Sequence, residues 1–187
     1  MECEPRWGIE LGACEIGRVK IHFIGIPSAG KTTLAAALSE RLGSPYHSLD
    51  GLAFVDEQWT LRSPGERDAM LVVILEEPSF VTEGGFLGWT DPLLAEADLI
   101  VWLDPPLWTL VLRHVRRFAR HPMWLPSLLL FQILSYTRPA GAGPAKDNAN
   151  QTRRGIEGAL IPWRDKVVRV RRPVLADEIL AYIRASD

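Results

Sequence analysis

The residues best suited to chemistry sit in one short stretch, "GIPSAGKTT", residues 25–33. Gly25, Gly30, Lys31 and Thr32 fall in the order G-x-x-x-x-G-K-[ST]. Glycines let a backbone curl until successive N–H groups point inward at phosphate oxygens. Gly25, Ile26, Pro27, Ser28, Ala29 and Gly30 therefore form a candidate cradle, whose crest would act through its backbone. Lys31 supplies a point charge for the β- and γ-phosphates of a nucleotide. The hydroxyl of Thr32, with Thr33 beside it, can ligate a Mg²⁺ that bridges those phosphates. The chemistry is the holding of a nucleoside triphosphate such as ATP. A glycine-rich turn that binds nothing is the alternative reading of the same letters.

That chemistry needs a strand before the loop and a helix after it, so that the dipole of the helix N-terminus adds to the cradle. Both are expected. "RVKIHFI" (18–24) alternates and is β-branched or aromatic. "GKTTLAAALSERLG" (30–43) is rich in helix formers and stops at a glycine. Further on, "PYHSLD" (45–50), "SFVTEGG" (79–85), "DLIVWLD" (98–104) and "KVVRVR" (166–171) read as strands. The near-continuous apolar run at 98–104 fits a strand buried on both faces, as in a parallel sheet. Helices are expected at 64–77, 91–97, 106–121, 152–162 and 173–186, those at 91–97 short and at 152–162 weakened by two glycines. Strands alternating with helices predict an α/β fold of three layers with a five-stranded, mainly parallel sheet. Residues 1–17 read as an extension, residues 18–187 as a single domain, and about 113–155 as a helical lid.

A phosphate cradle does not choose between a kinase, a switch GTPase and a motor ATPase. The N-K-x-D stretch of a base-reading GTPase is absent. The third strand ends at Glu83, which could hold a metal-bound water or orient a substrate. Arg113 and Arg117 are four apart, on one face of a helix, and suit stacking and bidentate contact. Arg116 and Arg120 form a second such pair. Arg62 and Arg67 flank the helix of an acceptor flap and could grip an anion. Arg153 and Arg154 follow the Gly/Pro-rich loop at 137–151 and could swing in on closure. Trp59, Phe86 and Trp89 could line an acceptor pocket, with ordinary core as the alternative.

Together, "GIPSAGKTTLAAALSERLGSPYHSLDGLAF" and "VTEGGFLGWTDPLLAEADLIVWLDPP" resemble the small P-loop kinases of the adenylate and shikimate kinase type. The resemblance is nearest to their topology-modulation, adenylate-kinase-like subgroup. It runs from about residue 18 to the C-terminus. That subgroup shows His-x-Leu-Asp after the second strand, Asp-Gly-Asn after the third and an arginine-rich lid helix. By resemblance, Asp50 of "HSLD" would orient or deprotonate an acceptor hydroxyl, or stand in the outer shell of Mg²⁺. Arg113 and Arg117 would stack on the adenine and contact the phosphates, with Arg117 serving the transfer. "EGG" stands where Asp-Gly-Asn is usual, so the longer Glu83 leaves its metal role open. The implied activity is transfer of phosphate from ATP, with Mg²⁺, to a small-molecule acceptor held by Asp50, Arg67, Glu83 and Arg154. The competing reading is a nucleotide-binding regulator or an ATPase without an acceptor.

Composition sets the remaining bounds. The 187 residues are 47% apolar and 24% charged, with a formal net charge of -2. That balance does not point to nucleic acid or to an anionic membrane. The most apolar run, 123–136, holds Pro126 and is too short to span a bilayer. Cys3 and Cys14 have no metal-ligand spacing and read as free thiols. The acidic start lacks the basic and apolar segments of a signal peptide. The expectation is a cytoplasmic monomer or homodimer.

Overall fold

The computed structural model describes residues 18–56, 58–120 and 152–185, with the backbone alone at 114 and 117–120. The proposed N-terminal extension, most of the lid and the apolar 123–136 run lie outside the described residues.

Strand β1 (Lys20–Gly25) is the centre of a five-stranded sheet. On one side it pairs with β3 (Phe80–Gly84), and β3 with the three-residue β2 (Tyr46–Ser48). On the other side it pairs with β4 (Leu99–Leu103), and β4 with β5 (Val167–Val170). The order is β2-β3-β1-β4-β5, and every pairing is parallel. The expected "mainly parallel" sheet is thus wholly parallel among the described residues. Residues of β3 and β4 are buried throughout because helices cover both faces.

Helix α1 (Lys31–Leu42) starts at Gly30 and ends at Gly43, both in left-handed conformation. It packs on α7 (Ala176–Ala185), and Leu34, Leu38, Ile179 and Ile183 join Ile21 and Phe23 in one core. A second core gathers Leu52 of α2 (Leu49–Ala53), Leu71 and Ile74 of α3 (Pro64–Leu75), and Leu93 of α4 (Asp91–Glu96) around Phe80. The start of α3 carries a capping box. Ser63 Oγ accepts from the Glu66 N–H, and Glu66 Oε2 accepts from the Ser63 N–H at 3.0 Å. This closure satisfies two orphan donors of the helix end. Beyond β4 run α5 (Leu107–Arg120), then α6 (Arg153–Leu160) and a 3₁₀ turn at Ile161–Lys166.

One expected element differs. "PYHSLD" is a strand only as far as Ser48, and Leu49 and Asp50 open α2.

The edge of the sheet where the strands begin is tied by backbone and lysine contacts. The Lys20 N–H donates to Asp98 Oδ2, and the Asp98 N–H donates to the Lys20 carbonyl oxygen, both at 2.8 Å. Lys20 Nζ donates to the Leu75 carbonyl oxygen and to Glu96 Oε2, while Lys166 Nζ donates to the carbonyls of Ala95 and Ala97. The opposite edge, where the strands end, carries every residue singled out for chemistry on a strand or the turn after it.

Candidate phosphate loop and acceptor pocket

The loop 25–30 has the backbone a cradle requires. Gly25 has φ 156° and Gly30 has φ 101°, while Ser28 adopts φ 66° despite its side chain. A Cβ on Gly25 would lie 2.6 Å from the Leu103 carbonyl oxygen, so only glycine lets β1 leave the sheet against β4. The Ala29 N–H donates back to the Ile26 carbonyl oxygen at 3.2 Å, which closes the curl. Ser28 Oγ is buried and has no hydrogen-bond partner among the described residues. Lys31 Nζ reaches back across the loop and donates to the Ile26 carbonyl oxygen at 3.1 Å. Arg113 Nη1, from α5, donates to the Ala29 carbonyl oxygen at 2.6 Å. Curled backbone, an orphan hydroxyl and two cations make a pocket that fits a polyphosphate. Pro27 is half-buried, Thr32 and Thr33 are exposed in the first turn of α1, and Arg116 is exposed on α5. The side chain of Arg117 lies outside the described residues.

Next to the loop, β2, β3 and α2 bring acids and hydroxyls together. Glu83, 3% exposed, is paired in register with Ser48. Ser48 Oγ donates to Glu83 Oε1 at 2.9 Å, and Tyr46 Oη donates to the same oxygen at 3.4 Å. Burial, then the Glu83 charge, pushes the Tyr46 phenol up to about 12, so it remains a donor. The solvent-facing alternative for Glu83 is therefore excluded. Asp50 sits in the first turn of α2 and keeps solvent access. The protein packed around its other side, then the Glu83 charge, raises its carboxyl above the ordinary value, while Lys31 pulls the other way. Gly84 permits the approach of α2 to β3, since a Cβ there would lie 2.7 Å from Leu49 Cβ.

These carboxylates could hold a divalent cation with Thr32. Among the described residues, no group of three or more His, Cys, Asp or Glu side chains gathers as a metal site. Mg²⁺ commonly takes one or two carboxylates, keeps several waters and uses substrate phosphates for the rest. A two-carboxylate site beside a phosphate loop fits that habit.

An aromatic line runs outward from Asp50. Phe54, whose N–H donates to the Asp50 carbonyl oxygen, meets Trp59 edge-on at 5.0 Å and Phe86 at 6.1 Å. Phe86 meets Trp89 at 5.5 Å, and the Arg67 guanidinium lies 5.2 Å from the Trp89 ring. The structure thus brings together three aromatics of the expected pocket and adds Phe54. Arg67 is no surface residue, being 4% exposed.

Two sets of residues went unnoticed in the sequence. His22, fully buried in β1, shares a hydrogen bond with Thr82 Oγ1 at 2.9 Å. Burial and then the Lys31 charge push it down to about 3, so it is neutral. A lone histidine in a buried strand was its signal. The other is Asp104, 1% exposed just after β4. Its carboxylate accepts from Arg153 Nε at 2.9 Å and from Arg169 Nη2 at 2.7 Å. Arg169 also lies 3.9 Å from the Trp102 ring. Arg153 is therefore held at the end of the sheet, whereas Arg154 is exposed. The signal for Asp104 was an acid closing an apolar strand.

Comparisons with known proteins follow this geometry. No family model matches the chain. The uncharacterized protein YqaC of Bacillus subtilis (strain 168) is 33% identical over 104 residues, 54% of this chain and 58% of that protein. A gluconokinase from Sinorhizobium meliloti 1021 superposes with a TM-score of 0.53 at 18% identity, over 90% of this chain and 91% of that one. A shikimate kinase from Acinetobacter baumannii, in complex with shikimate, gives 0.53 at 16%, over 90% and 94%. A sugar kinase from Janibacter sp. HTCC2649 gives 0.51 at 16%, over 89% and 94%. With the sheet order and the loop, these likenesses show that the chain has the three-layer α/β fold of the small P-loop kinases.

Proposed function

We propose that the protein transfers the γ-phosphoryl group of ATP, with Mg²⁺, to a hydroxyl of a small-molecule acceptor. The observation that carries this reading is the juxtaposition of the loop at 25–30 with Glu83 and Asp50. Lys31, whose charge acts on Asp50, would draw charge from the phosphates as the bond to the leaving oxygen breaks. Gly25 to Thr33 and Arg113 would hold ATP. Thr32 and Glu83 would hold Mg²⁺, which when bound neutralises charge on the phosphate oxygens. Asp50 would orient the acceptor hydroxyl and take its proton as the oxygen attacks phosphorus. Its raised carboxyl suits proton transfer better than an ordinary one. Arg67 and Arg154 would serve the acceptor, and Arg117 the transfer. Kinases of this fold, among them a gluconokinase and a sugar kinase, lend the reading support.

No helix among the described residues is long and apolar enough to cross a membrane. A cytoplasmic setting, with its ATP supply, is part of this proposal.

The test is ADP release from ATP and Mg²⁺ in the presence of single acceptors, against an acceptor-free blank. Acceptor-dependent release, abolished by Lys31→Ala, is the expected result. Equal release with and without every acceptor would assign the protein to hydrolysis instead.

A further inference from the structure

Arg67 is unusual among the arginines of the chain. It belongs to the first turns of α3, yet the fold buries it to 4% exposure and lays its guanidinium over Trp89. Burying a cation costs several kcal/mol unless something repays it. A cation–π contact contributes about 0.5–2 kcal/mol, which offsets only part of that cost. Two further polar atoms of this region are buried without a hydrogen-bond partner among the described residues: Arg62 Nε and Trp89 Nε1. Arg62 is held nearby, since its N–H donates to the Ala53 carbonyl oxygen at 2.9 Å, one residue before Phe54. The two arginines flank the same cap, Ser63. Buried donors without acceptors cost about 1–3 kcal/mol each, and an anion would satisfy them.

We infer that the acceptor carries a carboxylate or phosphate group that binds at Arg67 and Arg62, with its body against Phe54 and Phe86 and its hydroxyl toward Asp50. The inference rests on the phosphotransfer reading of the same pocket for the direction of the hydroxyl. The anion preference stands on the arginines and rings alone. The line of rings from Phe54 to Trp89 spans the distance between the two ends. Arg67 is the specificity-determining residue, because its planar fork takes two oxygens of an anion at once. Trp89 is a positioning residue, which fixes the plane of that fork.

The test is binding of matched probes to the full chain, read by ligand-observed NMR: 3-hydroxybenzoate against 3-hydroxybenzyl alcohol, gluconate against glucose, and glucose 6-phosphate against glucose. The first two pairs report a carboxylate and the third a phosphomonoester. In the wild type at least one anion should bind tenfold or more tightly than its neutral twin. Arg67→Gln should erase that preference, and Arg67→Lys should keep part of it. Should Arg67→Gln fail to fold, Arg62→Gln takes its place, with a preference reduced at least threefold. Equal binding of both members in all three pairs, or no binding of any anion, would overturn the inference. So would a preference that survives Arg67→Gln or, in its place, Arg62→Gln. A preference lost in Lys31→Ala but kept in Arg67→Gln would belong to the phosphate loop and would also overturn it. The readout needs no transfer, so an anion preference without acceptor-dependent ADP release would refute the kinase reading and leave the anion site standing.

Discussion

Arg113 of α5 donates from Nη1 to the carbonyl oxygen of Ala29 at 2.6 Å, so the helix after β4 is fastened to the crest of the phosphate loop. The contact fixes the peptide that must present its N–H to a phosphate. Arg113→Ala should therefore weaken nucleotide binding by about tenfold, the loss of one charge-assisted hydrogen bond. Calorimetric titration with a non-hydrolysable ATP analogue measures this. An unchanged Kd would return Arg113 to a merely structural role.

Asp50 should separate activity from stability. Asp50→Asn should lower turnover by about 10²–10⁴-fold if the carboxylate takes the proton, with little change in nucleotide affinity. Its carboxyl is raised in the fold, by packing and then by Glu83. Raised means that ionising it costs the folded state stability as pH rises through the folded value. Asp50→Asn should thus melt no lower than wild type at neutral pH, and the acid limb of the rate should lie above the ordinary carboxylate value of about 3.9. Glu83→Gln removes the second of the two causes and should lower the Asp50 carboxyl titration, followed by carbon NMR. A limb at the ordinary value, or a less stable Asn variant, would contradict this account.

Gly84→Ala tests the approach of α2 to β3. The added Cβ would meet Leu49 Cβ at 2.7 Å, and Leu49 immediately precedes Asp50. Overpacking of this kind costs about 1–3 kcal/mol. Thermal unfolding should register that loss, and kcat should fall while nucleotide affinity holds. Wild-type kcat in a folded variant would show that Asp50 tolerates displacement.

Asp104→Asn removes the charge that two arginines of α6 and β5 share. Cations left facing a neutral buried partner typically cost about 3 kcal/mol or more. The arginines here keep 24–34% exposure, which water can use, so about 2–3 kcal/mol is expected from denaturant unfolding. A loss below 0.5 kcal/mol would mean that solvent already screens the cluster.

The strands and the loop were legible because their signals are local. An apolar run, a glycine pattern and a stop glycine each act over a few residues, and the sheet follows from their alternation. Helix α2 was not legible: five residues containing Gly51 are too few for a helical period, and burial of Leu49 and Leu52 holds them instead. The burial of Arg67 was equally hidden. "PGERDA" reads as a polar first turn, and only the return of the chain at Trp89 covers it. The Asp104 cluster draws on β4, α6 and β5, elements adjacent only in the folded sheet. Glu83 was visible as a strand end, but its hydroxyl partners depend on the β2–β3 register.

The ties of Lys20, Asp98 and Lys166 lie at the edge where the strands begin, remote from the loop and the pocket. That polarity separates what can be touched from what must be left alone. A chain anchored to a sensor chip through Lys20 or Lys166 would turn its working side to the flowing solution. Whole libraries of metabolites could then be screened on one immobilised sample, without the attachment obstructing the mouth of the cleft.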